Sequence, residues 1–306
     1  MTLNSLPFVS VICPVYNNEV GIERTLETVT TQTYPDDRYE VLTVDNASTD
    51  DTREVIRSFI GSDSSPVTLF EERKIQSSYA ARNRGIRHAN GEYLLFIDAD
   101  MTVESDWIES IIRSMKSNAV RYMGCRVDLQ LPPAPPTIAA RYNSALGFPV
   151  ESYLRNRHFV PTCCLSITRD VIDQIGLFDD TLKSGGDCEF GLRAHEAGIE
   201  QFYDDSIVVY HPVRTSLRAL VKKKVRTTHG HEDLARKYPN RFPLRSPLHP
   251  KNFLPPRPTI FRDRVRNWDS FSWGELMCFY GILYLQKLVA TFTRVHYRYI
   301  STHLSV

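Results

Sequence analysis

One stretch of the chain decides its fold class, and it reads Tyr93-Leu94-Leu95-Phe96-Ile97-Asp98-Ala99-Asp100. Its first five residues are almost purely apolar, which predicts a short strand buried on both faces. Two carboxylates, those of Asp98 and Asp100, follow directly after that strand. Polar residues directly after a buried strand indicate a site at the strand's carboxyl end, where sheets of this kind bind their ligands.

The segments before this stretch repeat an alternation of strand and helix. We predict strands over residues 8–13, 39–44 and 67–70, and helices over residues 20–32, 51–60 and 79–89. This alternation predicts an α/β fold, with a Rossmann-like, mostly parallel sheet flanked by helices. The carboxyl ends of the strands lead into residues 14–17, 45–50, 71–73 and 98–100, where we expect ligands to bind.

The rest of the chain is more mixed. We predict strands over residues 122–129, 162–168 and 207–210, and helices over residues 105–116, 169–175 and 187–197. A basic helix over residues 216–238, an irregular arm with seven prolines over residues 239–258 and an apolar helix over residues 271–299 complete the prediction.

The net charge of +1 conceals two unlike parts. Residues 1–211 hold 19 Lys and Arg against 31 Asp and Glu, a net charge of −12, whereas residues 212–306 hold 18 against 5, a net charge of +13. We therefore predict one domain over residues 1–211, in which the candidate catalytic residues described below all lie, and a basic extension over residues 212–306. The composition, with 42% hydrophobic and 24% charged residues, excludes disordered and collagen-like proteins.

Three acidic or imidazole side chains are candidate metal ligands. Asp98 and Asp100, two residues apart after a strand, can turn toward one hard cation such as Mg²⁺ or Mn²⁺; the alternative is an acidic turn with a capping Asp. His211 ends a predicted strand and is either a ligand of a metal or phosphate or a structural histidine.

Three further residues are candidates for binding or catalysis. Asp45 begins a turn whose caps are supplied by later residues, so we expect its carboxylate to be free for a base or ribose. Tyr16 either stacks on a base or is simply half-buried. Asp187 is a candidate general base, and Gly185 and Gly186 before it would let a substrate approach; the alternative is an acid favoured by a helix dipole.

Four ordered blocks resemble the family 2 glycosyltransferases of the GT-A fold: residues 9–19, 44–50, 80–86 and 98–100. Residues 185–193 and 208–211 extend the resemblance over about the first two-thirds of the chain. The resemblance implies an inverting transfer of sugar from a UDP-, GDP- or dTDP-linked donor to a hydroxyl of a glycan or lipid-linked acceptor. The absence of a Gln-x-x-Arg-Trp block implies transfer of a single sugar.

The same resemblance implies a role for each matching residue. Pro14, Val15, Tyr16 and Glu19 would line the nucleoside pocket, Asp45 would contact the base or ribose, and Arg73 and Arg82 would lie near the diphosphate. Asp98 would face the ribose or the metal, and Asp100 and His211 would hold Mn²⁺ or Mg²⁺. Asp187 would be the base. The family's usual Glu before it is Gly186 here, which leaves Glu189 as a possible accessory acid.

The basic C-terminal part suggests a partner of its own. It carries no nucleic-acid recognition motif, so we expect an anionic membrane surface instead. The last helix is apolar on most sides and either contacts lipid, packs internally or forms a homodimer. Its longest apolar run, residues 276–285, is half the length of a membrane span, so we expect no integral membrane span.

These features predict the cellular location and leave a second function open. Residues 1–10 carry no signal-peptide pattern and none of the six cysteines forms a CxxC pair, so we expect a cytoplasmic protein, or one peripheral on the cytoplasmic face of the membrane. The alternative function is a non-catalytic nucleotide-sugar or membrane-binding module on the same fold.

Overall fold

A computed structural model describes residues 6–61, 65–243 and 246–300 of the chain. Residues 1–5, part of the segment on which the signal-peptide expectation rests, lie outside the described residues. The strands are β1 (Val9–Val15), β2 (Tyr39–Asp45), β3 (Val67–Glu71), β4 (Tyr93–Phe96), β5 (Thr102–Val103), β6 (Tyr122–Gln130), β7 (Leu165–Thr168) and β8 (Gln201–Pro212).

The helices follow the predicted order, with three additions. They are α1 (Glu19–Val29), α2 (Thr52–Phe59), α3 (Ser78–His88), α4 (Trp107–Ser117), α5 (Ile138–Leu146), α6 (Val150–Arg157), α7 (Arg169–Ile175), α8 (Gly186–Glu196), α9 (Leu217–Lys237), α10 (Pro258–Arg264) and α11 (Trp273–Val295). Helices α5, α6 and α10 were not predicted from the sequence.

The eight strands form one mixed sheet in the order β3-β2-β1-β4-β7-β6-β8-β5. Strands β3, β2, β1 and β4 are parallel, whereas β7 is antiparallel to both β4 and β6. All seven residues of β1 are buried, as its apolar sequence predicts. The predicted strand over residues 162–168 is wrong in its first part, because residues 162–164 form a 3₁₀ turn.

The chain divides into two compact units. The first comprises Met1–Asp128 and Pro149–His211 and carries nearly all of the sheet. In this unit α3 packs against β1 and β2, and the packing is close because Gly85 has no side chain: a Cβ there would lie 2.7 Å from Cγ2 of Ile12. This contact fixes the helix that carries Arg82 and Tyr79.

The second unit comprises Leu129–Phe148 and Pro212–Val306. The sequence did not indicate that residues 129–148 pack with the C-terminal part. Helix α11 packs against α9 and α5, and its Leu276, Phe279, Ile282 and Leu283 enter a core that also contains Tyr142 of α5 and Leu220 of α9.

The other side of α11 is exposed and apolar. Exposure reaches 78% at Trp273 and 68% at Met277, and Leu285 and Phe292 are also exposed. With the π-helical turn that follows, residues 273–300 form a 28-residue segment long and apolar enough to cross a membrane by length and composition alone. This segment is much longer than the uninterrupted apolar run, residues 276–285, on which the expectation of no span rests. The core helix of a soluble protein can have the same length and composition, and α11 packs within the second unit through its buried residues.

Candidate active site

Two loops at the carboxyl ends of β1 and β2 are tied together by hydrogen bonds. The backbone N–H of Asn17 donates to Oγ of Ser48 at 2.9 Å, and Oδ1 of Asn17 accepts from the backbone N–H of Thr49 at 2.8 Å. Asn17 and Ala47 both have positive φ, of 46° and 66°. Asn tolerates this left-handed conformation, because its short polar side chain bonds locally. The loops therefore form one pre-shaped wall.

Four predicted nucleoside-pocket residues lie along this wall. Pro14 and Val15 are buried in β1, whereas Tyr16 is 49% exposed and Glu19 is exposed at the first position of α1. An exposed tyrosine ring beside a buried strand end is available for stacking.

Asp45 differs from the sequence expectation. It is fully buried, and its carboxylate accepts a hydrogen bond from the backbone N–H of Ser48, with distances of 3.3 and 3.2 Å to its two oxygens. The expectation of a carboxylate free of local bonds is thus wrong, because the turn after β2 uses Asp45 itself as a cap. Contact of Asp45 with a base or ribose stays a prediction.

Arg82 and Asp98 form the best-defined charged pair of the site. Arg82, on α3, is only 4% exposed, and its Nη2 donates to Oδ1 of Asp98 at 2.6 Å. The Nε atom of Arg82 is buried and has no hydrogen-bond partner within the part of the chain that the structure describes. A buried guanidinium with an unsatisfied N–H suits an anionic group such as a phosphate.

Asp100 and His211 come together as the sequence predicts. Nε2 of His211 lies 3.8 Å from Oδ1 of Asp100. The cause is the antiparallel pairing of β5 with β8, in which Thr102 pairs with Tyr210. This register brings the residue range just before β5, which includes Asp100, close to His211 near the end of β8. No group of three or more His, Cys, Asp or Glu side chains surrounds a metal position among the described residues. Two ligands nevertheless fit Mg²⁺ or Mn²⁺, which keep several waters and bind substrate phosphates.

Asp187 lies in the first turn of α8, whose N-cap Gly185 adopts a φ of 88°. Its Oδ1 accepts from the backbone N–H of Cys188 at 2.9 Å and from the hydroxyl of Tyr79 at 3.4 Å. Burial raises the pKa of this carboxyl above its ordinary value, even though hydrogen bonds and Arg82 act to lower it. A general base works best when its pKa lies near the working pH. The raised pKa of Asp187 therefore makes this carboxylate a more effective base than an ordinary one.

The structure corrects two expectations about α8. Glu189 is 3% exposed, and both of its carboxylate oxygens accept from Arg193, at 3.0 and 2.8 Å. Its carboxylate is thus held by a structural ion pair and is not presented as an accessory acid. The space beside Gly186 is filled by the ring of Tyr79, which contradicts the expectation that a substrate approaches there.

The sequence prediction is untested for one residue of the site and missing for another. Arg73 is exposed and pairs with Glu71 at the end of the edge strand β3, and its place near a diphosphate stays a prediction. Tyr79, in contrast, was not predicted and yet contacts Asp187. The only sequence signal for it is Gly186, which stands where the resemblance leads one to expect an acid.

Comparison with known proteins agrees with this geometry. The sequence profile described as glycosyl transferase family 2 matches residues 10–176, more than half of the chain. The chain belongs to glycosyl transferase family 2. It is 37% identical over 227 residues to the glycosyltransferase AglE of Haloferax volcanii, an alignment that covers 74% of each chain.

Two further proteins extend the comparison. The chain is 24% identical, over 71% of each chain, to a dolichyl N-acetyl-alpha-D-glucosaminyl phosphate 3-beta-D-2,3-diacetamido-2,3-dideoxy-beta-D-glucuronosyltransferase of Methanococcus voltae. Its fold is similar to that of the mannosyltransferase PcManGT from Pyrobaculum calidifontis, solved with GDP-Man and Mn²⁺, at a TM-score of 0.61 and 19% identity over 97% of this chain and 88% of that one. The predicted GT-A fold is thereby confirmed.

Proposed function

We propose that this glycosyltransferase transfers a single sugar, with inversion, from a nucleotide diphosphate sugar to an acceptor hydroxyl. The observation that carries the proposal is the position of Arg82. It bonds Asp98 at 2.6 Å, and its guanidinium lies 5.6 Å from the ring centre of Tyr79, whose hydroxyl contacts Asp187. One buried cation thus joins the proposed donor side to the proposed base.

The donor side provides recognition of a diphosphate. The unpaired Nε of Arg82 would bind a phosphate oxygen, and Tyr16 would stack on the base. Asp100 and His211 would hold Mn²⁺ or Mg²⁺, which would supply Lewis-acid stabilisation of the leaving diphosphate. The Mn²⁺ in the similar mannosyltransferase structure supports this assignment.

The acceptor side provides the base. Asp187 would take the proton from the acceptor hydroxyl as the oxygen forms its bond to the anomeric carbon, while the bond from that carbon to the diphosphate breaks on the opposite face. Inversion follows from this single in-line displacement. The protonated Asp187 then returns its proton to solvent.

The acceptor is proposed to be glycan or lipid-linked, and the second unit to contact an anionic membrane. The relative from Methanococcus voltae has a dolichyl phosphate-linked sugar in its name, which supports a lipid-linked acceptor. Residues 212–306 carry a net charge of +13, and α11 exposes Trp273 and Met277. Basic and interfacial aromatic side chains together favour an anionic headgroup layer, with the protein on the cytoplasmic face.

The decisive experiment measures nucleotide release from UDP-, GDP- and dTDP-sugars in the presence of Mn²⁺. We expect one donor to be consumed by the wild-type chain, and Asp187→Asn to reduce its turnover at least about 100-fold. Asp173→Asn, which changes an exposed Asp of α7, is the matched control and should keep full activity. Nucleotide binding without turnover would instead support a non-catalytic module, and full activity of Asp187→Asn would reject the base assignment.

A further inference from the structure

We propose that Tyr79 is a positioning residue for Asp187: its ring fills the space beside Gly186, and its hydroxyl bonds the carboxylate and holds it in its working orientation. This inference rests on the proposed function of Asp187 as the base. Tyr79 lies on α3 and Asp187 on α8, 108 positions apart in the sequence.

The steric half of the proposal follows from Gly186. A Cβ built at this position would lie 2.8, 2.9 and 3.0 Å from three ring atoms of Tyr79. Real Cβ contacts are essentially never shorter than 3.0 Å. Gly186 and Tyr79 therefore form a matched pair, in which any side chain at position 186 must displace the ring.

The ring is held firmly on its other sides. It stacks on Phe178 at 5.9 Å, and Phe178 stacks in turn on Phe190 of α8 at 4.2 Å. The N-cap of α3, Ser77, donates to the backbone oxygen of Leu182 at 2.8 Å, and Asn83 bonds the backbone of Phe178 through both its amide atoms. Helix α3 is thereby joined to the segment that leads into α8.

The chemical half follows from the charges around Asp187. The groups that face it are Tyr79 and Arg82 of α3, Tyr122 of β6, Cys163 of the 3₁₀ turn and Cys188 of α8. Burial raises the pKa of the Tyr79 phenol far above neutrality, so this group stays a hydrogen-bond donor throughout the working range. A donor to the charged carboxylate favours that form and opposes the effect of burial on Asp187.

The first test is the pH profile of kcat for Tyr79→Phe, which keeps the ring and removes the hydroxyl. We expect its acid limb to move up by about 0.7 pH unit, since a net hydrogen bond is worth about 1 kcal/mol and one pKa unit corresponds to about 1.4 kcal/mol. Tyr34→Phe is the matched control: this buried hydroxyl donates to the backbone oxygen of Pro7 at 2.6 Å, and its loss should leave the profile in place. An unshifted profile for Tyr79→Phe would overturn the chemical half.

The second test is a double-mutant cycle on thermal unfolding, which does not depend on activity. Gly186→Glu alone should lower Tm, because the new side chain collides with the ring of Tyr79. The double variant Tyr79→Ala with Gly186→Glu should lose less Tm than the sum of the losses in the two single variants. Strict additivity would overturn the steric half. Failure of the proposed function is distinguishable, because it would appear as unchanged turnover in Asp187→Asn.

Discussion

Arg82 and Asp98 form a hydrogen-bonded ion pair whose two members differ sharply in exposure. Nη2 of Arg82 lies 2.6 Å from Oδ1 of Asp98, while the side-chain exposure is 4% for the arginine and 38% for the aspartate. The guanidinium is thus enclosed by protein, and the carboxylate is open to solvent at the end of β4. Among the described residues this buried cation forms an ion pair with one acid, which is itself half-exposed, so it retains the capacity to stabilise a second anion.

Replacement of Arg82 should damage donor use more than folding. We expect Arg82→Lys to reduce kcat/KM for the nucleotide sugar by about 10- to 100-fold, because the ammonium of lysine is a single point charge and lacks the planar fork of donors on separate nitrogens that could bond Asp98 and a phosphate together. The measurement is initial-rate kinetics with varied donor. Arg87→Lys changes an exposed arginine of the same helix and should have no effect. Equal kinetics for the two variants would contradict the assignment.

Removal of His211 should weaken metal use. The imidazole lies 3.8 Å from Asp100, and loss of one of the two proposed ligands should raise the Mn²⁺ concentration for half-maximal activity by at least about tenfold. Calorimetric titration of His211→Ala with Mn²⁺ and nucleotide gives a second readout. His88→Ala, in which an exposed imidazole is removed, serves as the control. Unchanged Mn²⁺ affinity in His211→Ala would contradict the predicted ligand.

Asp187→Asn should increase thermal stability at neutral pH although it greatly reduces turnover. Burial raises the pKa of Asp187 in the folded chain above its unfolded value. The group therefore contributes stability at low pH, and this contribution is lost as the pH rises through the folded pKa. A neutral amide avoids that loss, so Tm should rise by about 2 °C at pH 7. The gain should vanish at about pH 3, below the ordinary pKa of Asp. A lower Tm at pH 7 would contradict the direction.

The fold could be predicted where strands are buried on both faces. Strands β1 to β4 begin and end within two residues of the prediction, because a short, uninterrupted apolar run is typical of a strand buried on both faces. Strand β5 has only two residues and β8 begins with a half-exposed polar stretch, so neither gives a clear hydrophobic pattern at those positions. The missed helix α5 becomes recognisable only through its packing against α11.

The site could be predicted where its residues follow strands. Asp98, Asp100 and His211 all lie at strand ends, and a topological rule finds them without knowledge of side-chain contacts. Tyr79 lies within a helix, where its aromatic ring gives the same pattern as an ordinary core residue. Its link to Asp187 depends on how α3 and α8 meet, which the spacing of residues in the sequence does not encode.

Glu189→Gln should reduce stability and leave catalysis intact. Neutralising one partner of the buried pair with Arg193 costs about 3 kcal/mol, since the guanidinium loses its counter-charge and one of its two acceptor oxygens. Thermal unfolding should show a Tm lower by about 8 °C, whereas kcat per folded molecule should stay within about twofold. Glu200→Gln removes an exposed acid just beyond α8 and should change neither quantity. A loss of kcat in the fully folded Glu189→Gln enzyme would restore the accessory-acid role.

The exposed side of α11 should determine binding to anionic vesicles. Trp273 and Met277 lie one helical turn apart and are 78% and 68% exposed, so Trp273→Ser with Met277→Ser removes about 3 kcal/mol of potential apolar burial. Sedimentation with phosphatidylserine vesicles at low salt should show that the double variant binds the vesicles about 100-fold more weakly than the wild type. High salt should weaken binding of the wild type as well, because salt screens the attraction between the basic residues of this unit and the anionic lipids. Leu131→Ser, which changes an exposed apolar residue of the same unit outside α11, should bind normally. Absence of wild-type binding at low salt, together with a dimer in analytical ultracentrifugation that the double variant dissociates, would assign this face to a second copy of the chain.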